Sequence, residues 1–184
     1  MKKTVPVLTL ALLLVAHPGG IAANGSNPGG KSQRKMVENS APDFELKDLK
    51  GKTVTLEQFI GKKVVIMEFW ATWCGPCRMT MAAVHNIREK YRDKGVEVLS
   101  IDQGEDTTKV KNFVESKGLK LNVLLDSDVS VSRMYGVSGI PTLFVIDKEG
   151  VVKARVVGYR PDLESALSQF LDQLLAEKPS EPAK

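Results

Sequence analysis

The sequence predicts an α/β fold, a sheet with helices packed against it, and three observations carry that expectation. Lys63-Val64-Val65-Ile66-Met67-Glu68-Phe69-Trp70 is an apolar run bounded by Gly61 before and Gly75-Pro76 after, the pattern of a strand buried on both faces. Behind it Met81, Val84, Ile87 and Tyr91 recur at spacings of three and four, the stripe of an amphipathic helix ending near Gly95. Further on, strand-length apolar runs alternate with helical stripes, which argues a mostly parallel sheet with right-handed crossovers.

From the start of the chain, Lys2 and Lys3 precede an apolar stretch from Val5 to Ala16, then His17-Pro18-Gly19-Gly20 and Ile21-Ala22-Ala23. These are the parts of a secretory signal, assigned to residues 1–23. Twelve apolar residues are short for a spanning helix, which needs about 20, although an uncleaved N-terminal anchor is the alternative. No cysteine stands there, so a lipoprotein anchor is excluded. Without residues 1–23 the chain has 24 basic and 22 acidic residues, a balance that offers no case for nucleic acid or an acidic substrate.

Residues 24–40 are rich in Gly, Ser and charge and read as a flexible linker. Within them Gly25-Ser-Asn-Pro-Gly-Gly30-Lys31-Ser32 fits the phosphate-loop pattern letter for letter. It lacks the strand before and the helix after that would aim backbone N–H groups at phosphates, so nucleotide binding is not expected. Asn24-Gly25-Ser26 is also a glycosylation sequon, of use only to a eukaryotic source.

The domain is expected over residues 41–177, about one domain's worth of chain. Two alternating segments from Phe44 to Leu56 flank Lys50-Gly51-Lys52 and suggest a hairpin, followed by a helical turn through Phe59. After the central strand and helix, Val96 to Ile101 is a second strand. Asp106 or Thr107 caps a helix carrying Val110, Phe113 and Val114 and stopped at Gly118. Leu121 to Leu125 is a short strand and Val129 to Tyr135 a short helix. Thr142 to Ile146 and Val151 to Val157 flank Asp147-Lys-Glu-Gly150, a hairpin turn. A last helix is expected from about Pro161, with Leu163, Leu167, Phe170, Leu171 and Leu174 on its buried side. Residues 178–184 read as a disordered tail.

The chemistry lies between the central strand and its helix. Cys74 and Cys77 are the only cysteines in 184 residues. The first turn of a helix leaves amide N–H groups unpaired and carries the positive end of its dipole, so a thiolate at Cys74 is stabilised there. Cys74 is expected to be the exposed nucleophile, and Cys77, one turn further in, to close the disulfide and expel what Cys74 has captured. Glu68 is the one polar residue inside the strand. Burial disfavours its charge, so it is expected to stay partly protonated and to exchange a proton with Cys77.

The segment Glu68-Phe69-Trp70-Ala71-Thr72-Trp73-Cys74-Gly75-Pro76-Cys77 resembles the active-site segment of the thioredoxin superfamily. Upstream, Ala41-Pro42-Asp43-Phe44-Glu45-Leu46 with Asp48, Gly51 and Leu56 is similar to the opening of the extracytoplasmic TlpA/ResA-like branch. Downstream, Gly139-Ile140-Pro141-Thr142 matches the segment that supplies the superfamily's cis-proline. The resemblance implies a thioredoxin-like fold, with a central mixed sheet flanked by helices, an N-terminal β-hairpin and an inserted helix-strand element. It implies an exported or periplasmic thiol-disulfide oxidoreductase, with no cofactor beyond the Cys74–Cys77 redox pair. It further implies Pro141 in cis, Ile140 offering its backbone to an extended substrate segment, and Trp73, Gly75 and Pro76 forming the substrate-facing surface around Cys74. The partners it implies are exported thiol or disulfide proteins, apocytochrome c among the candidates, and a membrane electron donor; a monomer is expected.

Departures from the family matter. Thioredoxins proper carry Asp at the position of Glu68, and many TlpA/ResA-like members carry Asn. Relatives acting on apocytochrome c often have Glu at the position of Thr80 and Pro at that of Ala82, so a general reductase is the leading expectation and a dedicated cytochrome c maturation reductase the alternative. A binding module with an inert disulfide is a second alternative. A zinc site needs four ligands, and outside the signal the chain adds only His85 to its two cysteines. His85 is expected to be a surface or satisfied helix residue. The Pro-x-x-x-Thr-x-x-Cys pattern of peroxidases is missing around Cys74.

Overall fold

In the computed structural model, residues 39–177 are described, so the proposed signal, most of the linker and the C-terminal tail lie outside the described residues. The chain starts with a hairpin, β1 (Glu45–Asp48) and β2 (Thr53–Thr55). Its turn is closed by Asp48, whose Oδ1 accepts the backbone N–H groups of Lys50 and Lys52, with Gly51 at positive φ. Then come β3 (Val64–Trp70), α1 (Gly75–Tyr91), β4 (Val96–Gln103), α2 (Thr107–Ser116), β5 (Asn122–Asp126), α3 (Ser130–Met134), β6 (Thr142–Ile146), β7 (Val152–Val157) and α4 (Leu163–Ala176). These strands form one seven-stranded sheet in the order β2-β1-β5-β4-β3-β6-β7.

The sheet is mixed, as the resemblance implies, and not mostly parallel as the alternation of strands and helices alone argues. Only β3 with β4 and β4 with β5 pair in parallel, while the hairpins and the β1–β5 and β3–β6 contacts are antiparallel. Helical crossovers dictate direction in the middle of the chain, but a strand's direction at each flank depends on which edge it joins. The helix-strand insert, α2 and β5, is what brings the N-terminal hairpin into the sheet, since β1 pairs with β5. Two residues assigned to the linker belong to the sheet's margin: Ser40 bridges Val151, and the carbonyl of Asn39 accepts from Val152.

All seven residues of β3 are buried, so its side chains divide between two cores. Val65, Met67 and Phe69 point into an apolar core with Phe44, Leu99, Ile101, Tyr135 and Phe144. Val64 and Ile66 face the other way, against Val84, Ile87 and Tyr91 of α1 and Leu163, Leu167 and Leu171 of α4. The α1 stripe is the one its spacing predicts, and its last turn runs through a 3-10 turn to Gly95 in the left-handed conformation. Asp106 caps α2, accepting from the N–H groups of Thr108 and Lys109. At the other end α4 begins at Leu163, two residues later than Pro161, and Phe170 is only partly buried.

Candidate functional site: a dithiol pair at a strand-to-helix turn

Cys74 is the N-cap of α1 and Cys77 sits in its first turn, and the two form a disulfide. The sulfur of Cys74 accepts the backbone N–H of Cys77 at 3.2 Å, so an amide left unpaired by the helix start already points at the position where a thiolate charge would form. Pro76 occupies the first turn, where its missing N–H costs no helical bond. The expectation of an exposed nucleophile needs correction: Cys74 is 4% exposed and Cys77 fully buried. The reason is tertiary, because the Ile140 segment lies over the pair, with the Ile140 carbonyl oxygen 3.9 Å from the Cys74 sulfur. The Ile140–Pro141 peptide is cis. Around this covered pair the indole of Trp73 is 67% exposed and Pro76 lies at the surface, while Gly75 is half-buried.

Glu68 is fully buried. Its Oε2 accepts a long hydrogen bond of 3.4 Å from Ser100, and its Oε1 has no partner among the described residues. Desolvation therefore dominates: burial pushes the Glu68 carboxyl up to about 8, with Ser100 pulling weakly the other way. Glu68 alternates with Met67 and Phe69 and so shares the α1 face of the sheet with Trp70 and, beyond it, Cys77. Trp70 is core, as its strand predicts, packed against Phe113 of α2 with ring centroids 5.6 Å apart.

Sequence reading passed over a second set of polar residues beside the motif. In the parallel β3–β4 register Ser100 lies opposite Glu68 and Asp102 opposite Trp70, so both β4 side chains join that same face. Asp102 is fully buried, and neither carboxylate oxygen has a hydrogen-bond partner among the described residues. Next along the chain, Glu105 accepts the Thr72 N–H at 2.5 Å and the Thr72 hydroxyl at 2.8 Å, and it pairs with Lys109 at 2.6 Å. Thr72 stands two residues before Cys74, so Glu105 holds the turn that carries the cysteine. Ser100 and Asp102, polar at alternate positions of a buried strand, and the Glu105–Lys109 spacing of four were the available signals. His85 differs from expectation in that its Nδ1 is buried without a partner among the described residues. No group of three or more His, Cys, Asp or Glu is placed to hold a metal among the described residues, and none of their helices is long and apolar enough to cross a membrane.

A mixed sheet whose central strand leads into a helix capped by a redox-active cysteine pair, with a cis-proline segment laid over it, defines a thioredoxin-like thiol-disulfide oxidoreductase. The comparisons with known proteins agree: residues 37–155 match the AhpC/TSA family, and the chain belongs to that family, among its ResA-like thiol-disulfide oxidoreductases. It is 39% identical over 126 residues to the thiol-disulfide oxidoreductase ResA of Bacillus thuringiensis strain Al Hakam, covering 68% of this chain and 72% of the relative. The ResA of Bacillus subtilis strain 168 is 36% identical over 150 residues, covering 81% and 82% of the two chains. Among solved structures, one described as a thiol:disulfide interchange protein DsbE from Chlorobium tepidum superposes with a TM-score of 0.70 at 36% identity, covering 75% of this chain and 96% of that one.

Proposed function

We propose that this thiol-disulfide oxidoreductase is an exported reductase of protein disulfides or oxidised cysteines, working through Cys74 and Cys77. The observation that carries the direction is the buried Glu68 on the face of the sheet beneath the pair. An acid there can take the proton of Cys77 as the disulfide closes, the step by which the reduced pair gives its electrons to a target. Export is supported by the signal-like residues 1–23.

In this reading the Cys74 thiolate, stabilised at the start of α1, attacks one sulfur of a target disulfide. The target S–S bond breaks, a Cys74–target bond forms, and the released target thiolate takes up a proton. Cys77 then passes its proton to ionised Glu68 and attacks the Cys74 sulfur. The Cys74–Cys77 bond forms, the second target thiolate leaves, and two electrons have passed to the target. With its pKa near 8, Glu68 is ionised in about one molecule in ten at pH 7, so this step quickens with pH until about 8. The Ile140 backbone, next to Pro141, would pair with an extended target segment while Trp73, Gly75 and Pro76 offer it a surface of low side-chain specificity. Exported thiol proteins are the proposed partners, and a membrane donor of electrons recharges the pair in a monomeric protein.

The test is the reduction potential, measured on protein lacking residues 1–23 in graded thiol-disulfide buffers by Trp fluorescence and thiol alkylation. A strongly reducing value with rapid exchange is expected, each 30 mV or so shifting the equilibrium about tenfold. Cys77→Ser should trap targets as mixed disulfides. A strongly oxidising value overturns the direction, and a pair that exchanges with neither buffer component overturns catalysis altogether.

A further inference from the structure

We propose that Asp102 and Glu105 share a single proton at neutral pH, held on Asp102, and that this proton keeps Glu105 clamped on Thr72 and so fixes the turn that presents Cys74. Both acids are positioning residues in this account, and neither touches a substrate.

The geometry begins with the acceptor count at Glu105. A carboxylate has about four lone-pair sites, and three are filled by the Thr72 amide, the Thr72 hydroxyl and the Lys109 ammonium. The group that interacts with the carboxyl of Glu105 is Asp102, which is fully buried and whose oxygens meet no donor at good hydrogen-bond geometry among the described residues, the Glu105 backbone N–H being its one nearby amide. As an anion Asp102 would set a second negative charge beside that of Glu105 in a buried corner of the sheet, with the Lys109 ammonium already held by Glu105. As an acid its O–H suits the fourth site on Glu105, and a buried polar group that can donate to an unfilled acceptor is expected to do so.

The surrounding charges favour the same state. Glu105 faces Asp102 from the loop after β4, and Lys109 from α2 is already engaged by Glu105. Glu68 of β3 lies on the same face of the sheet, two positions back in register, and brings no positive charge. Burial, and after it the Glu105 carboxyl, push the Asp102 carboxyl up to about 8, against the smaller pull of the Glu105 backbone N–H and the Lys109 ammonium, which favour its charged form. Burial opposes the charge on Glu105 as well, but Lys109 and the two Thr72 donors outweigh it and hold that carboxyl below its ordinary value. Above pH 8 the shared proton is lost, two adjacent carboxylates compete for one ammonium, and the hold on Thr72 loosens.

The hold of Glu105 on Thr72 stands on contacts; its consequence for reactivity rests on the proposed reading of Cys74 as the attacking sulfur. It is tested on the oxidised full-length protein by hydrogen exchange of the Thr72 amide between pH 6 and 9.5, expressed as a protection factor so that base catalysis of exchange is removed. The expected profile steps down about tenfold near pH 8. Asp102→Asn should abolish the step, Glu68→Gln should retain it, and Glu105→Gln should leave Thr72 poorly protected throughout. A flat profile in the unsubstituted protein, a step that survives Asp102→Asn, or a step lost with Glu68→Gln overturns the proposal. Should Asp102→Asn fail to fold, the 13Cγ resonance of Asp102 in the unsubstituted protein decides: titration above pH 7 supports the shared proton and titration below pH 7 overturns it. A Thr72 step in a protein whose cysteines prove redox-inert would keep the clamp and sink the reductase reading, and active cysteines without the step would do the reverse.

Discussion

The two faces of β3 are built from alternate residues of one strand and obey different rules. On one face Val65, Met67 and Phe69 join Tyr135 and Phe144, with the Phe69 ring edge-on to Phe144 at 5.9 Å, and no carboxyl stands among the strand's own residues there. On the other, Glu68 and Trp70 are flanked by Ser100 and Asp102 and lie beneath a helix that begins with the cysteines. The first face removes apolar surface from water. The second holds two carboxyls in a place where their charged forms are poorly solvated. A protein can afford such a site because the strand that carries it is anchored by the opposite face.

That division can be broken deliberately. Cys74→Ser should reduce thiol-disulfide exchange to background while leaving the fold intact, since serine is itself a favoured N-cap for α1; residual exchange would show that the second face does not depend on this sulfur. Phe69→Ala should cost about 3–5 kcal/mol in urea unfolding of the oxidised protein, yet leave the reduction potential of the folded molecules unchanged. A shifted potential would mean the two faces are coupled.

Glu68→Gln sharpens the comparison through pH. The folded carboxyl, near 8, lies above its ordinary value of 4.5, so the folded protein binds this proton more tightly than the unfolded chain. Its contribution is therefore fully present below about pH 4.5 and is lost as pH rises through 8, by at most ~5 kcal/mol. Unfolding measured at pH 5 and pH 8.5 should show the substituted protein losing less stability between the two than the original. An equal loss in both would assign the pH dependence to other groups. Ser100→Ala should have the smallest effect, under about 1 kcal/mol at neutral pH for one long hydrogen bond, with the Glu68 titration moved slightly upward because a group favouring its charged form is gone. A downward shift in a carboxyl NMR titration would contradict the assigned hydrogen bond.

Much of the site was readable in the chain itself. The strand, the stripe of α1 and the cysteine pair at their junction follow from spacings of two, three and four residues, which local backbone geometry converts directly into faces. Glu68 was recognisable as a buried acid because it interrupts an otherwise apolar run. The same logic was available for Asp102, but a strand ending in Asp-Gln-Gly reads equally well as a strand running out into solvent. Nothing local distinguishes a carboxyl at the surface from one covered by α2.

Neighbours within a few positions suffice to place the cysteine pair at a strand-to-helix turn and Cys74 at the start of the helix. Only the tertiary structure decided that Ile140, 66 residues away, covers the Cys74 sulfur, that Glu105 reaches back to Thr72, and that most strand contacts run antiparallel. Those features depend on how strands separated along the chain align and in which direction they meet, and that choice is made by burial of the whole sheet, not by any one segment's periodicity.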